Sequence, residues 1–367
     1  MKKKDINNEQ ACRIAAAKKT SIGGQALLEG IMMRGPKVSA MAVRTPEGEL
    51  VLEKWENTSK PVPKILKLPI IRGVYGFISS MTIGYKALMR SAEIAGLDEI
   101  EDEMAREKAA KKAAKKGKKT MEISTDTTVE ETVETFSEEK KEEKKKTSPL
   151  VTAVMLIATI LGLALAIGLF IVFPTFLYKL LPIPEFENMA LNSLIKSAFE
   201  GILKIALLIA YMALVSLMKD IKRTFQYHGA EHKTIFCYES GMELTVENVR
   251  NQRRFHPRCG TAFLILMLIV GIFVSFFIDP IFYLTLGKLP NVFIRAAIKL
   301  ITLPLIMGLG YELIKLAGRH DNIFTRIISA PGLWLQRITV LEPTDDMIEC
   351  AITAFKEVIP EDQSDNY

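Results

Sequence analysis

Cysteine is scarce in this chain: 4 in 367 residues, at positions 12, 237, 259 and 350. Spacing that wide excludes a small disulfide-stapled scaffold. The amino terminus has a basic start, Lys2-Lys3-Lys4, but lacks the apolar core of about 7–15 residues that a cleavable signal peptide needs. No internal repeat stands out, and neither a G-x-G-x-x-G fingerprint nor a P-loop is present, so nucleotide binding has no support. A hydrophobic fraction of 49% beside 25% charged residues excludes a collagen, a coiled coil and a wholly disordered protein.

Charge is missing from particular places. Leu150–Phe173 holds 24 residues without Asp, Glu, Lys or Arg, and Gly260–Ile278 holds 19. A 24-residue helix is about 36 Å long, enough for a bilayer core. Leu194–Met218 is apolar apart from Lys196, Glu200 and Lys204, whose i,i+4 spacing lets the carboxylate be neutralised. Phe293–Ala317 carries Arg295, Lys299, Glu312 and Lys315. The expectation is a mainly α, multi-pass membrane bundle of about four spans with a small cytoplasmic α/β amino-terminal region. Glu312, costly inside a span, is expected to pair with a metal or with a loop arginine such as Arg223, Arg253 or Arg254.

The charged segments divide the chain. Residues 1–19 read as a basic flexible arm. Residues 20–97 combine a glycine-rich stretch, a hairpin (Ala40–Arg44 and Glu49–Trp55 about Thr45-Pro46-Glu47-Gly48) and a helix over 69–96 on the membrane surface or packed on the spans. Residues 98–148 are Lys/Glu-rich with one aromatic, Phe136, and read as a disordered linker without nucleic-acid character. A membrane domain over 149–318 encloses a loop, 219–259. The tail 319–367 carries amphipathic helices, one beginning near Thr344-Asp345-Asp346. Lys and Arg outnumber Asp and Glu 16 to 8 over residues 1–97 and 8 to 5 over 219–259. The positive-inside bias therefore places both termini and that loop in the cytoplasm of a cell-membrane protein.

Four His are present, and two lie in Tyr227-His228-Gly229-Ala230-Glu231-His232-Lys233. On a helix, His228 and His232 face the same way and can share one divalent metal. Glu231 fits the H-x-x-E-H pattern as proton acceptor. His256-Pro257-Arg258-Cys259 adds an imidazole and a thiol at the mouth of the third span; such a donor set suits zinc. The plainer readings are solvated imidazoles at 228 and 232, an inert buried thiol at 259 and a surface His320 beside Asp321. Cys237 reads as core. A second constellation, Gly23-Gly24-Gln25-Ala26-Leu27-Leu28-Glu29-Gly30-Ile31-Met32-Met33-Arg34-Gly35-Pro36, implies tight turns or close backbone approach, presenting Gln25, Glu29 and Arg34.

The stretches 23–36, 227–233 and His256-Pro257-Arg258-Cys259-Gly260-Thr261 together resemble the bacterial YqhQ-like family of multi-pass membrane proteins, a domain of unknown function described as predicted metal-dependent enzymes. The resemblance covers most of residues 20–358, with 98–148 as an insertion. It implies membrane location and a metal, and it transfers Glu29, Arg34, His228, Glu231, His232, His256 and Cys259. It transfers no reaction.

The expectation is a metal-dependent membrane enzyme, of hydrolytic type, acting on a peptide or lipid substrate. His228, His232 and Cys259 or His256 bind zinc or a similar ion, Glu231 or Glu29 handles the proton, and Arg34 or Arg258 steadies an anion. The alternative is a non-enzymatic scaffold or assembly factor with a closed structural metal site. A metal transporter is weaker, because the spans carry no His or Cys pair.

Overall fold

The computed structural model describes residues 19–57, 63–96, 157, 160–182, 186–287, 291–319, 322–362 and 364–365. The arm, the charged linker, Cys12 and His320 thus lie outside the described residues. Residues up to 97 and from 170 onward form one compact unit. Residues 98–169 form a second, described only at Ile157 and 160–169.

The amino-terminal region is a four-stranded antiparallel meander: β1 (Gly23–Leu27), β2 (Gly30–Arg34), β3 (Val38–Arg44) and β4 (Leu50–Glu56). The glycine-rich stretch, read as tight turns, is the β1–β2 hairpin. Its two-residue turn, Leu28-Glu29, puts Glu29 at φ 49°. The expected second hairpin is present as β3–β4, with Arg44 opposite Leu50. Alternation along the strands makes both sheet faces apolar. Ile31, Met33, Ala40 and Ala42 point to one side, against Tyr227, Ala230 and Phe355. Leu27, Met32, Met41 and Val43 point to the other, against Ala87. Each fully buried side chain of this size contributes about 1.5–3 kcal/mol.

The first of these partners belong to α4 (Lys219–Glu239) and α10 (Asp345–Lys356), the second to α1 (Ile71–Ile94). α1 fulfils the expected helix over 69–96. Glycine lets its start approach a later helix: a Cβ on Gly73 would lie 2.7 Å from Tyr311, and one on Gly308 would lie 2.2 Å from Ile70.

Among the described residues three helices are long and apolar enough to cross a membrane: α2 (Ile160–Leu180), α3 (Met189–Val215) over its Leu191–Val215 stretch, and α6 (Gly260–Leu286). A fourth crossing exists if α7 (Val292–Ile301) and α8 (Leu303–Arg319), bent by 43° at the break, count as one. Two boundaries differ from expectation. Among the described residues the first apolar helix runs seven residues past Phe173 to Leu180. The third continues through Asp279 and Pro280 to Leu286, because Arg295 pairs with Asp279 and removes the cost of its charge. Gly201 of α3 sits against Ile272 of α6, where a Cβ would come within 2.8 Å.

Two short elements complete the unit. α5 (Val246–Arg250) follows α4, and α9 (Ile323–Thr339) packs on α6, where a Cβ on Gly332 would lie 2.4 Å from that of Ala262.

Candidate metal centre

α4 has the sequence expected to present His228, Glu231 and His232 on neighbouring positions, and it does so in a buried setting. Gly229 explains how. A Cβ there would lie 1.9 Å from the Leu341 carbonyl oxygen. The segment after α9 therefore lies directly on α4, with the Leu341 amide donating to Phe225 O at 2.9 Å. This contact brings the last carbonyl of α9 to the histidines.

His228 Nδ1 lies 2.9 Å from Thr339 O, and His232 Nδ1 lies 2.6 Å from Arg254 O. A carbonyl oxygen only accepts, so each Nδ1 carries the proton and donates it. In a neutral ring that leaves the Nε2 lone pair free, the tautomer of a metal-ligating histidine held by an outer partner. The His228 Nε2 is 3.1 Å from Cys259 Sγ. One ligand atom from each of His228, His232 and Cys259 lies within 4.8 Å of the others. That spread suits one ion with bond lengths of about 2.0–2.3 Å.

Cys259 is the N-cap of α6, and its sulfur accepts from the Thr261 amide at 3.4 Å. Burial alone would raise its thiol, but the adjacent His228 and His232 hold it well below the ordinary range. Helix N-termini and neighbouring imidazoles favour thiolate in this way. Burial would likewise lower His228, yet the Cys259 sulfur raises it to about 9.

Glu231 is buried beside them, and burial raises its carboxyl against the pull of His228 and His232. The glycine-rich hairpin reaches this group. A Cβ on Gly24 would lie 2.9 Å from the Glu231 carboxyl carbon, so a side chain there would have to displace it. Gly24 also lines a cavity of about 280 Å³ together with Gln25, Arg34 and Ser80. Arg34 lines a second cavity of about 830 Å³ between the sheet and α1, with Trp55, Tyr75 and Lys86.

The other expected site residues are placed elsewhere. His256 is not in the group. Its ring lies between His232 and Phe236, at 5.5 and 4.6 Å, and its Nδ1 accepts the Arg258 amide at 3.2 Å. Its Nε2 is 3.9 Å from Glu239. Gln336 clamps its backbone through two hydrogen bonds of 2.8 Å. Burial pushes its imidazole down to about 4. Arg258, expected to steady an anion, pairs with Glu239 and donates to Thr20 O at 3.2 Å. Glu29 sits in the β1–β2 turn, at the opposite end of the hairpin from Arg34, and forms a two-pronged pair with Arg223. Glu312 pairs with Arg72 at the start of α1, not with a loop arginine; the Arg72 Nε donates at 2.7 Å and the Ile70 amide at 3.4 Å. Cys237 is core, as read, and burial raises its thiol to about 11. Cys350 donates to Ala42 O at 3.1 Å.

The whole arrangement defines a helical protein with several bilayer-length apolar helices and a buried His/His/Cys cluster covered by a small sheet. A family model, "Protein of unknown function (DUF1385)", matches residues 68–361, and the chain belongs to that family. It is 32% identical over 345 residues to the "Uncharacterized protein YqhQ" of Bacillus subtilis (strain 168), an alignment covering 92% of each chain. No solved structure matches.

Proposed function

We propose that this chain is an integral membrane protein that holds a divalent transition metal at His228, His232 and Cys259 and catalyses hydrolysis there. The observation that supports the metal most directly is the pair of Nδ1–H donations to main-chain carbonyls, which leaves both Nε2 atoms free, with His228 Nε2 3.1 Å from the Cys259 sulfur. Zinc is the ion best matched to two imidazoles and a thiolate. Three protein ligands leave a position for water, and such an ion supplies Lewis acidity and a more acidic water. Glu231, buried on the helical turn between the two histidines, takes the proton. Arg34, on the wall of the cavity that Gly24 shares, steadies the charge of the peptide or lipid substrate. The basic residues of 1–97 and 219–259 put the site on the cytoplasmic side.

Three experiments test this reading. Purified protein carries about one zinc-like ion per chain by elemental analysis, and His228→Ala with His232→Ala loses it; metal-free wild-type protein overturns the proposal. The cobalt form changes its visible spectrum on adding azide if the position is open. An unchanged spectrum would favour the scaffold reading with a closed structural site, which the position of His256 against Glu239 deprives of its expected fourth ligand.

A further inference from the structure

A second group of buried charges lies among the apolar helices, and its balance is uneven. Glu200 of α3 accepts from Thr175 at 2.9 Å and from Lys299 of α7 at 2.8 Å. Arg295 lies 3.6 Å from Glu200 and pairs with Asp279 of α6. Two carboxylates thus face Arg295 and Lys299 and match them. Lys204, one turn beyond Glu200, has no carboxylate within 4 Å among the described residues. Its side chain lines the same cavity as that of Lys299. Two ammonium groups facing one apolar cavity repel, and an anion between them relieves that repulsion.

Those amines border a cavity of about 350 Å³, otherwise walled by apolar side chains such as Leu208, Leu264, Ile272 and Leu303, with Gly271 and Ser275. The cavity has the size of a small ligand site, with few polar groups at one place in its wall. Lys204 stands 13 residues after Leu191 and 11 before Val215, close to the middle of its apolar helix. A phosphodiester headgroup brought to that depth would carry its glycerol and second chain with it. A single-chain acid fits the volume and the charge better.

We propose that this cavity binds a long-chain fatty acid, its chain along the apolar wall and its carboxylate between Lys204 and Lys299. This site is separate from the candidate metal centre and depends only on the apolar helices lying in a membrane.

The experiment uses full-length protein in nanodiscs and hexadecanoate carrying a mid-chain diazirine. After irradiation, labelled peptides are mapped by mass spectrometry. Label is expected in Leu264–Ser275 and Leu300–Ile306, displaced by excess hexadecanoate but not by hexadecanol, which has the chain without the charge. Lys204→Gln lowers labelling about tenfold, a loss of about 1.4 kcal/mol of binding, whereas Lys204→Arg keeps most of it. Both variants are compared at matched elution volume and melting temperature, so a folding defect is separated from a binding defect. Equal displacement by hexadecanol overturns the proposal, because the amines then recognise nothing. Stronger displacement by phosphatidylglycerol overturns the single-chain assignment, and label spread evenly over all apolar helices overturns the site.

Discussion

The two buried polar clusters solve the same problem differently. Around α4, the imidazoles and the thiol each have a directed partner: Thr339 O, Arg254 O and the Thr261 amide. Around Glu200, charges are matched by proximity, and Lys204 is left over. The first pattern fixes lone pairs in space, which an ion needs. The second fixes only a charge excess, which any suitably shaped anion can answer. Orientation and imbalance are thus separate ways in which buried polar groups can be arranged.

The sharpest break in this comparison is His228→Ala with His232→Ala, which takes the metal content from about one per chain to near zero while leaving fatty-acid labelling intact. Next comes Glu200→Gln. Removing one partner of a buried charge network costs about 3–5 kcal/mol, read as a large drop in melting temperature in detergent, with the metal retained. Gly229→Ala forces α4 away from Leu341 O and costs about 1–3 kcal/mol or more as an overpacked contact. It also weakens metal retention against a chelator, since Thr339 no longer reaches His228.

The pH effect is smaller. His256 is buried in its neutral form, down to about 4, whereas the unfolded chain protonates near 6.5. Stability is therefore present above about pH 6.5 and declines as pH falls towards 4, by about 1–3 kcal/mol. Glu239, held low by the nearby His256 and Arg258 although burial opposes it, adds to the same acid loss. Chemical denaturation at stepped pH should show this slope, flattened in His256→Gln. Smallest is Gly24→Ala. Its contacts are flexible ends of Met33 and Glu231, so about 1 kcal/mol is lost and metal stays bound.

Much of this was legible from spacing alone. Four-residue periodicity put His228 and His232 on one face, the charge gaps marked the apolar helices, and Thr45-Pro46-Glu47-Gly48 marked the β3–β4 turn. The glycine-rich stretch reads as tight turns but not as a hairpin about Leu28-Glu29, because that pair carries no glycine at its left-handed position. The partners Thr339 and Arg254 contribute only carbonyls, which every residue has, so no residue type could reveal them. His256 was misplaced for a related reason. Being three residues from Cys259 says nothing of ring direction, which Gln336 and Glu239 set from 80 and 17 positions away in the chain. Arg72 as the partner of Glu312 followed from Gly73 and Gly308, whose missing side chains let two distant helices touch.

The bond between His228 and Thr339 joins residues 111 positions apart. A ribosome releases the histidines well before the carbonyl that orients them, with α6, α7, α8 and α9 still to be made in between. The contact that orients His228 is thereby complete only once α9 has been made, so the geometry of the cluster depends on nearly the whole chain.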